Sequence, residues 1–244
     1  MRHLRLPCRW LSIVALLAAL VPACSAPPPV ESGYIVQILR DRVAKDQFFK
    51  ETEHCFAPGA SGDDCSPVPP ERRGQLLPLS YYDADPSYRT PAELDIAADQ
   101  PVFDIPTSTG ELRKMQKVGT LKFWFKGEPR TLSAFFELPQ GRVTQLPVEN
   151  VDRLFVPFRD ETSGGETYPA GRYMDLDRTA TGYYDLDFNR AYHPYCYFDE
   201  RYDCPFPPAE NRLKTAVRAG ERLPQGQAAS DAPSSAPSRS PDSQ

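Results

Sequence analysis

The chain has 244 residues, of which 40% are apolar, and its 28 basic residues against 33 acidic ones give a formal charge of -5. An acidic balance argues against nucleic acid as a partner and against polybasic attraction to anionic lipid. A chain of this length folds as one domain with a core of its own, so no second domain is required.

The first residues carry a separate signal. Arg2, Arg5 and Arg9 precede an apolar run from Leu11 to Val21, and the small Ala23 stands before Cys24. These are the three parts of a secretory signal, and the run is well short of the roughly 20 residues needed to cross a bilayer. Leu20, Val21, Pro22, Ala23 and Cys24 resemble the lipobox of bacterial lipoproteins, with Pro22 and Val21 as departures from the usual pattern. The resemblance implies acylation of Cys24 after export; the alternative is cleavage nearby without a lipid. Acyl chains would anchor the protein at about 0.8 kcal/mol per buried methylene. Where a sorting rule is known, Ser25 favours the outer membrane. Pro27, Pro28 and Pro29 make a stiff spacer.

Residues 1–23 are therefore expected to be a signal, 24–30 a lipidated tether, and 31–223 a single β-rich domain. Residues 224–244, rich in Ser, Pro and Ala, are expected to form a disordered tail. Loss of the signal leaves 25 basic residues against 33 acidic ones, a formal charge of -8. The expected place is the cell envelope, outside the cytoplasmic membrane, with the membrane as a partner through the lipid alone.

From Ser32 to Lys50, Ile35, Ile38, Leu39, Val43 and Phe49 recur at spacings of three and four, which predicts an amphipathic helix with Ser32 as its N-cap. Residues 53–75, rich in Gly, Pro, Ser and Asp, read as a surface loop. With Cys8 lost and Cys24 acylated, Cys55, Cys65, Cys196 and Cys204 remain, and an even number in an exported chain points to disulfides. Loop-local pairs, Cys55 with Cys65 and Cys196 with Cys204, are expected. A metal at His193, Cys196 and Cys204 is the rival reading, but the spacing is not that of a zinc site.

Further on, the period becomes two. Leu121, Phe123 and Phe125 share one face, with Trp124 the exception on the other; Leu132, Ala134, Phe136 and Leu138 repeat the pattern after a turn at 126–129. Strands are also predicted at 100–105, 112–118, 154–158, 172–176 and 183–188, with a last strand or short helix at 211–218. Many short strands behind one helix predict a mainly β, antiparallel meander that closes wholly or partly into a barrel.

Three blocks in the second half carry a family resemblance. Asp160, Thr162, Ser163, Gly164, Glu166, Thr167, Tyr168, Gly171, Arg172 and Tyr173 form one; Leu186, Asp187, Phe188, Asn189, Ala191, Tyr192, Pro194, Cys196 and Tyr197 another; Cys204, Pro205, Pro207, Pro208, Glu210, Asn211, Leu213, Ala219, Gly220 and Glu221 the third. They resemble the bacterial and archaeal family catalogued as domain of unknown function 1684. The likeness extends back through Asp85, Pro86, Tyr88 and Arg89 to the helix around Lys45 and Asp46. The resemblance implies no activity. His193 stands where the family leads us to expect asparagine, and the Cys55 to Cys65 loop looks like an insertion, which argues against a required role for either.

Catalytic motifs are sparse. Ser163 lies in a Gly-containing run, but the surroundings are not a nucleophile elbow, and His54 and His193 are the two histidines beyond the signal. No phosphate loop is present. Asp175 with Asp177, and Asp185 with Asp187, sit two apart and so share a strand face, which suits either a cation or the solvent side of a half-buried strand. Glu166, Tyr168, Arg172, Asp187, Asn189, Glu210 and Asn211 are the candidate ligand-binding residues. Arg172 would clamp an acidic group, with Asn189 and Tyr168 as neutral donors. An equally good account is a buried polar network. Two functions follow: a module that binds a small ligand or plays a structural part in the envelope, or a hydrolase using Glu166, Asp187 or Glu210 as acid and base, with or without a metal. No cofactor is expected.

Overall fold

The computed structural model describes residues 30–58, 60, 64–138, 144, 146–147 and 151–226. The signal, Cys24, nearly all of the tether and the tail beyond residue 226 lie outside the described residues. Helix α1 spans Val30–Glu51 and a short α2 spans Arg73–Leu76. Seven strands follow: β1 Arg89–Ile96, β2 Val102–Pro106, β3 Leu112–Phe125, β4 Glu128–Glu137, β5 Arg153–Phe158, β6 Arg172–Asp177 and β7 Tyr183–Asp187. All pairings between them are antiparallel, in the order β6-β5-β4-β3-β1-β7, with β2 on β3 beside this path. The sheet curls into a nearly closed barrel, as the alternating pattern led us to expect.

The core inside the barrel is aromatic. Phe188 lies 5.1 Å from Phe125, 5.5 Å from Phe158 and 6.0 Å from Phe123, measured between ring centres. Leu121, Leu132, Val156 and Leu186 fill the space around them and are fully buried. Each such side chain contributes about 1.5–3 kcal/mol when taken from water. Trp124 faces out of the barrel, 67% exposed. The outer face of β4 is not solvated as its alternation suggests, because Ile105 and Met115 cover Phe135.

Several boundaries differ from expectation. The two strands read at 112–118 and 120–126 are one, β3, carrying an irregularity between Lys117 and Gly119. A Cβ at Gly119 would stand 2.3 Å from the Asp95 carbonyl oxygen, so only glycine lets β1 pair closely there. Strand β1 is not among the predicted strands, although Ala92, Leu94 and Ile96 alternate with Glu93 and Asp95; the run is short, Ala92 is its one fully buried residue, and Pro91 interrupts it. Lys126 and Gly127 both have positive φ, the two-residue turn that matches strand twist. Ser32 lies inside the first turn of α1 rather than capping it. The segment 211–218 forms neither strand nor helix beyond a single turn at Ala209–Asn211.

The face that α1 turns inward is not the predicted apolar stripe. Ile38 and Phe49 are buried, but Leu39 and Val43 are exposed. Polar residues dock the helix instead: the Tyr34 hydroxyl donates to Asp187 at 2.8 Å, and Lys45 Nζ donates to Glu221 at 2.7 Å. The helix therefore sits over the turn that follows β7.

Candidate functional site

The seven candidate residues do not share one space. Arg172, at the start of β6, is fully enclosed. Its Nη1 donates to the carbonyl oxygens of Ala219 and Glu221, and its Nη2 donates to Val217 O at 2.7 Å and lies 3.5 Å from Asp160 Oδ2. A guanidinium that binds three carbonyls of one segment acts as a scaffold for it. It holds residues 217–221, which are also tied by the Tyr81–Glu221 bridge and by Tyr82 N donating to Gly220 O, and so Arg172 is not the clamp the sequence suggested. Asp160 completes the cluster by accepting from Val217 N at 2.6 Å and from the Thr162 hydroxyl.

Asn211 is likewise internal. Its amide donates to Ser133 O and Pro157 O and accepts from Ser133 N at 2.7 Å, tying the C-terminal segment to β4 and β5. Tyr168 is buried, with its backbone N–H donating to His193 Nε2 at 3.3 Å. Burial holds the His193 imidazole well below its usual range, hence neutral. Glu221, beside it, accepts from His193 N and from Lys45. For these residues the buried polar network is the arrangement found.

Glu166 and Glu210 lie elsewhere. Glu166 accepts a fork of bonds from Arg218 at 2.7–3.0 Å and one from the Tyr82 hydroxyl, and the Arg218 guanidinium holds its carboxyl below the ordinary range. Glu210 is exposed, with Lys117 Nζ 3.6 Å away. Glu166, Asp187 and Glu210 thus have separate partners: Arg218 and Tyr82 for the first, Tyr34 and Asn189 for the second, Lys117 for the third.

The second expected disulfide is corrected. Cys55 and Cys65 are bonded, but Cys196 and Cys204 are free thiols. Cys204 Sγ accepts from Cys196 N at 3.2 Å, and the Cys204 backbone N–H donates to Ser108 Oγ. The contact between the thiols, together with burial, pushes Cys204 well above its ordinary range, while the same contact draws Cys196 down. Two thiols in contact inside an apolar cluster with Tyr168, Tyr173 and Phe198 act as packing.

Asp187 and Asn189 do fall together, in the turn after β7. Asp187 accepts from the Tyr34 hydroxyl and from Asn189 N at 3.0 Å, and Asn189 bonds both the N–H and the carbonyl of Asp85. This turn borders the one place where the barrel is unclosed. Strands β6 and β7 are the two ends of the strand order and do not pair with each other. Just past β7 the chain crosses back, and Tyr192 exchanges backbone hydrogen bonds with Tyr173 at 2.8 and 3.0 Å, which seals one end of the gap.

The rest of the seam is a cavity of about 410 Å³. Both aspartate pairs line it: Asp175 and Asp177 from β6, Asp185 and Asp187 from β7. The Tyr184 and Tyr192 side chains, Met174 and Leu176 supply its apolar part, and Arg190 is its one cation. Each carboxylate is positioned: Asp175 by the Tyr192 hydroxyl at 2.6 Å, Asp177 by Arg153 and Asp185 by Arg89. Partial desolvation by the cavity walls pushes the Asp175 carboxyl up, although Asp175 itself is open to solvent. Each aspartate pair was expected to share one strand face, for a cation or for solvent; convergence of the two rows could not be read locally, since that depends on which strands end the sheet. A larger groove of about 560 Å³ between α1 and α2 is lined mainly by Val43, Leu77, Pro78 and the stems of Lys50 and Arg73. Its carboxylate, Asp46, already accepts from Leu79 N, so the groove offers little to orient a ligand.

A family model described as "Protein of unknown function (DUF1684)" matches residues 75–222. No curated protein matches the chain. The solution NMR structure of an uncharacterized protein from Haloarcula marismortui is 36% identical, with a TM-score of 0.58, and the match covers 81% of this chain and 98% of that one.

Proposed function

We infer, for a chain that belongs to the DUF1684 family of proteins of unknown function, that it is a small-ligand-binding module of the bacterial envelope. It is held there by a lipid on Cys24 and takes a small organic cation in the barrel seam. The observation that carries the ligand reading is the convergence of four carboxylates, two from each edge strand, on one cavity that has Arg190 in its lining, with Arg153 and Arg89 pairing Asp177 and Asp185 from outside it. Cavities with a few convergent polar groups among apolar walls are the usual form of ligand sites. A primary or quaternary ammonium gains from the carboxylates and, over a tyrosine face, from the ring as well. Among the described residues no group of three or more His, Cys, Asp or Glu is placed to hold a metal ion, which favours an organic cation over a metal. No observation favours the hydrolase reading.

Export is supported by the three-part N-terminal signal and by the Cys55–Cys65 bond, since disulfides persist in oxidising compartments. Two experiments test the reading. Calorimetric titration and thermal shift with amines, quaternary ammonium compounds, sugars and carboxylic acids should give binding by the cations, weakened in Asp175→Asn and in Asp185→Asn. Binding by the neutral compounds alone, or by none, would overturn the seam as a cation site. Separately, Cys24→Ser should move the protein from the membrane fraction to the soluble one; an unchanged membrane fraction removes the lipid anchor.

A further inference from the structure

Arg42, midway along α1, is a cation without a carboxylate partner. Its Nη1 donates to Tyr82 O at 2.8 Å and its Nη2 to Asn189 O at 3.4 Å, and the guanidinium lies 4.5 Å from the centre of the Tyr81 ring. Its Nε is buried and has no acceptor among the described residues, and the buried Tyr81 hydroxyl is equally without a partner. Buried donors left unmet are rare and costly, and each calls for an explanation such as a water or a ligand. Burial weakens the hold of Arg42 on its proton, and Asp187 and Glu221 offset this only in part.

Both residues line a cleft of about 130 Å³ between α1 and the turn after β7. At ~30 Å³ per water, that is room for about four waters or one small ion with fewer. Its lining carries Arg42, Lys45 and Arg190 against Asp41 and Glu221, an excess of one positive charge, with Asp187 near Arg42 and Asp46 near Tyr81 outside the lining. The two carboxylates are already engaged, Glu221 by Lys45 and His193 N, Asp41 by Arg190 and Gln37. An incoming anion therefore meets donors that nothing else uses.

We propose that this cleft is a carboxylate-binding site. One oxygen of a monovalent carboxylate takes the Nε hydrogen of Arg42 and the other takes the Tyr81 hydroxyl hydrogen, and its single charge matches the excess of the lining. The site is separate from the seam, which shares only Arg190 with it. It stands or falls without the cation reading.

The experiment titrates acetate and inorganic phosphate into the full chain, followed by amide chemical shifts and by thermal melts. Acetate should shift the Tyr82, Asn189 and Ala191 amides saturably in the millimolar range, and Tyr81→Phe should weaken it about tenfold, the loss of one hydrogen bond to a charged group. Without ligand, Tyr81→Phe should melt no lower than the wild type, because the hydroxyl it removes has no partner. Absence of a saturable shift, equal acetate affinity in Tyr81→Phe, or tighter binding of phosphate than acetate each overturns the assignment. So does a crystal structure in saturating acetate with only water bridging Arg42 and Tyr81.

Discussion

Two regions at the ends of β6 use the same polar chemistry to opposite ends. At its first residue, Arg172 is enclosed, with three carbonyls and a carboxylate around its terminal nitrogens. Toward its last residues, Asp175 and Asp177 face a cavity, with a partner each and room for more. The strand is continuous, and the difference lies in what covers it. The C-terminal segment closes over Arg172, whereas beyond Tyr173 the edge of β6 turned away from β5 has no strand partner among the described residues. A polar group becomes structural where the chain covers it and engages most of its polar atoms, as it does at both Nη of Arg172, and becomes available for binding where the sheet runs out of strands.

The enclosed region is broken most severely at its centre. Arg172→Met removes the guanidinium that holds Val217, Ala219 and Glu221, and leaves the Asp160 carboxylate buried without its cation. Removing one partner of a buried pair costs about 3–5 kcal/mol. Urea unfolding should show that loss, with amine binding by whatever remains folded unchanged; a loss below about 1 kcal/mol would mean that the segment holds itself.

His193 tests the same region through pH. Its imidazole is neutral when folded because burial holds its pKa well below 6.5, the value it regains on unfolding. The unfolded chain then binds the extra proton as pH falls through the unfolded value. Stability is therefore full above that pH and declines below it, by up to about 1.4 kcal/mol per pH unit. His193→Asn should remove this slope between pH 6.5 and 5 in denaturant midpoints, and a variant with the wild-type slope would place the acid sensitivity elsewhere.

The fold was largely legible in the sequence, the site only in fragments. Alternation at Leu121, Phe123 and Phe125 is a local property of one strand, and it placed the sheet and its inner face correctly. Strand β1 was not legible because its alternation is short: Ala92 and Leu94 face the core, but Ile96 is exposed and Pro91 breaks the run. Asp187 and Asn189 stood out from their motif and do border the seam; Tyr192 stood in the same block without a role, and Arg42 and Tyr81 gave no signal. Their roles arise where segments distant in sequence meet: α1, the turn after β7 and the crossing at Tyr173. The helix misled for the same reason, since an apolar stripe shows where a helix could dock, while Asp187 and Glu221 decide where this one does.

At the open end, Asp175→Asn separates binding from stability. The folded-state pKa of Asp175 is raised by desolvation, so its ionised form is disfavoured in the fold, and stability rises as pH falls through the raised value toward the unfolded one. Asparagine removes that penalty and its pH dependence together, so the variant should melt at or slightly above the wild-type temperature at pH 7. It should also bind amines about tenfold more weakly, as expected for a lost hydrogen bond to a charged group. A variant that loses stability would show Asp175 to be structural, as Arg172 is.

The smallest effect belongs to Glu166, which has the best ion-pair geometry of the candidate residues and little to gain from it. Arg218 grips it with both Nε and Nη2, yet the two side chains are 42% and 56% exposed, and water screens the pair. Exposed pairs contribute about 0.2–1 kcal/mol, against several for a buried one. Its carboxyl pKa is lowered in the fold, so the contribution is present above the unfolded value and is lost as pH falls through the folded one. Glu166→Gln should therefore shift the urea midpoint by less than about 1 kcal/mol at pH 7 and by nothing once both forms are protonated. It should leave amine binding in the seam untouched. A larger loss at neutral pH would mean that the Tyr82 hydroxyl, which also donates to Glu166, couples it to the Arg172 network beneath, and would extend the enclosed region to the surface of the protein.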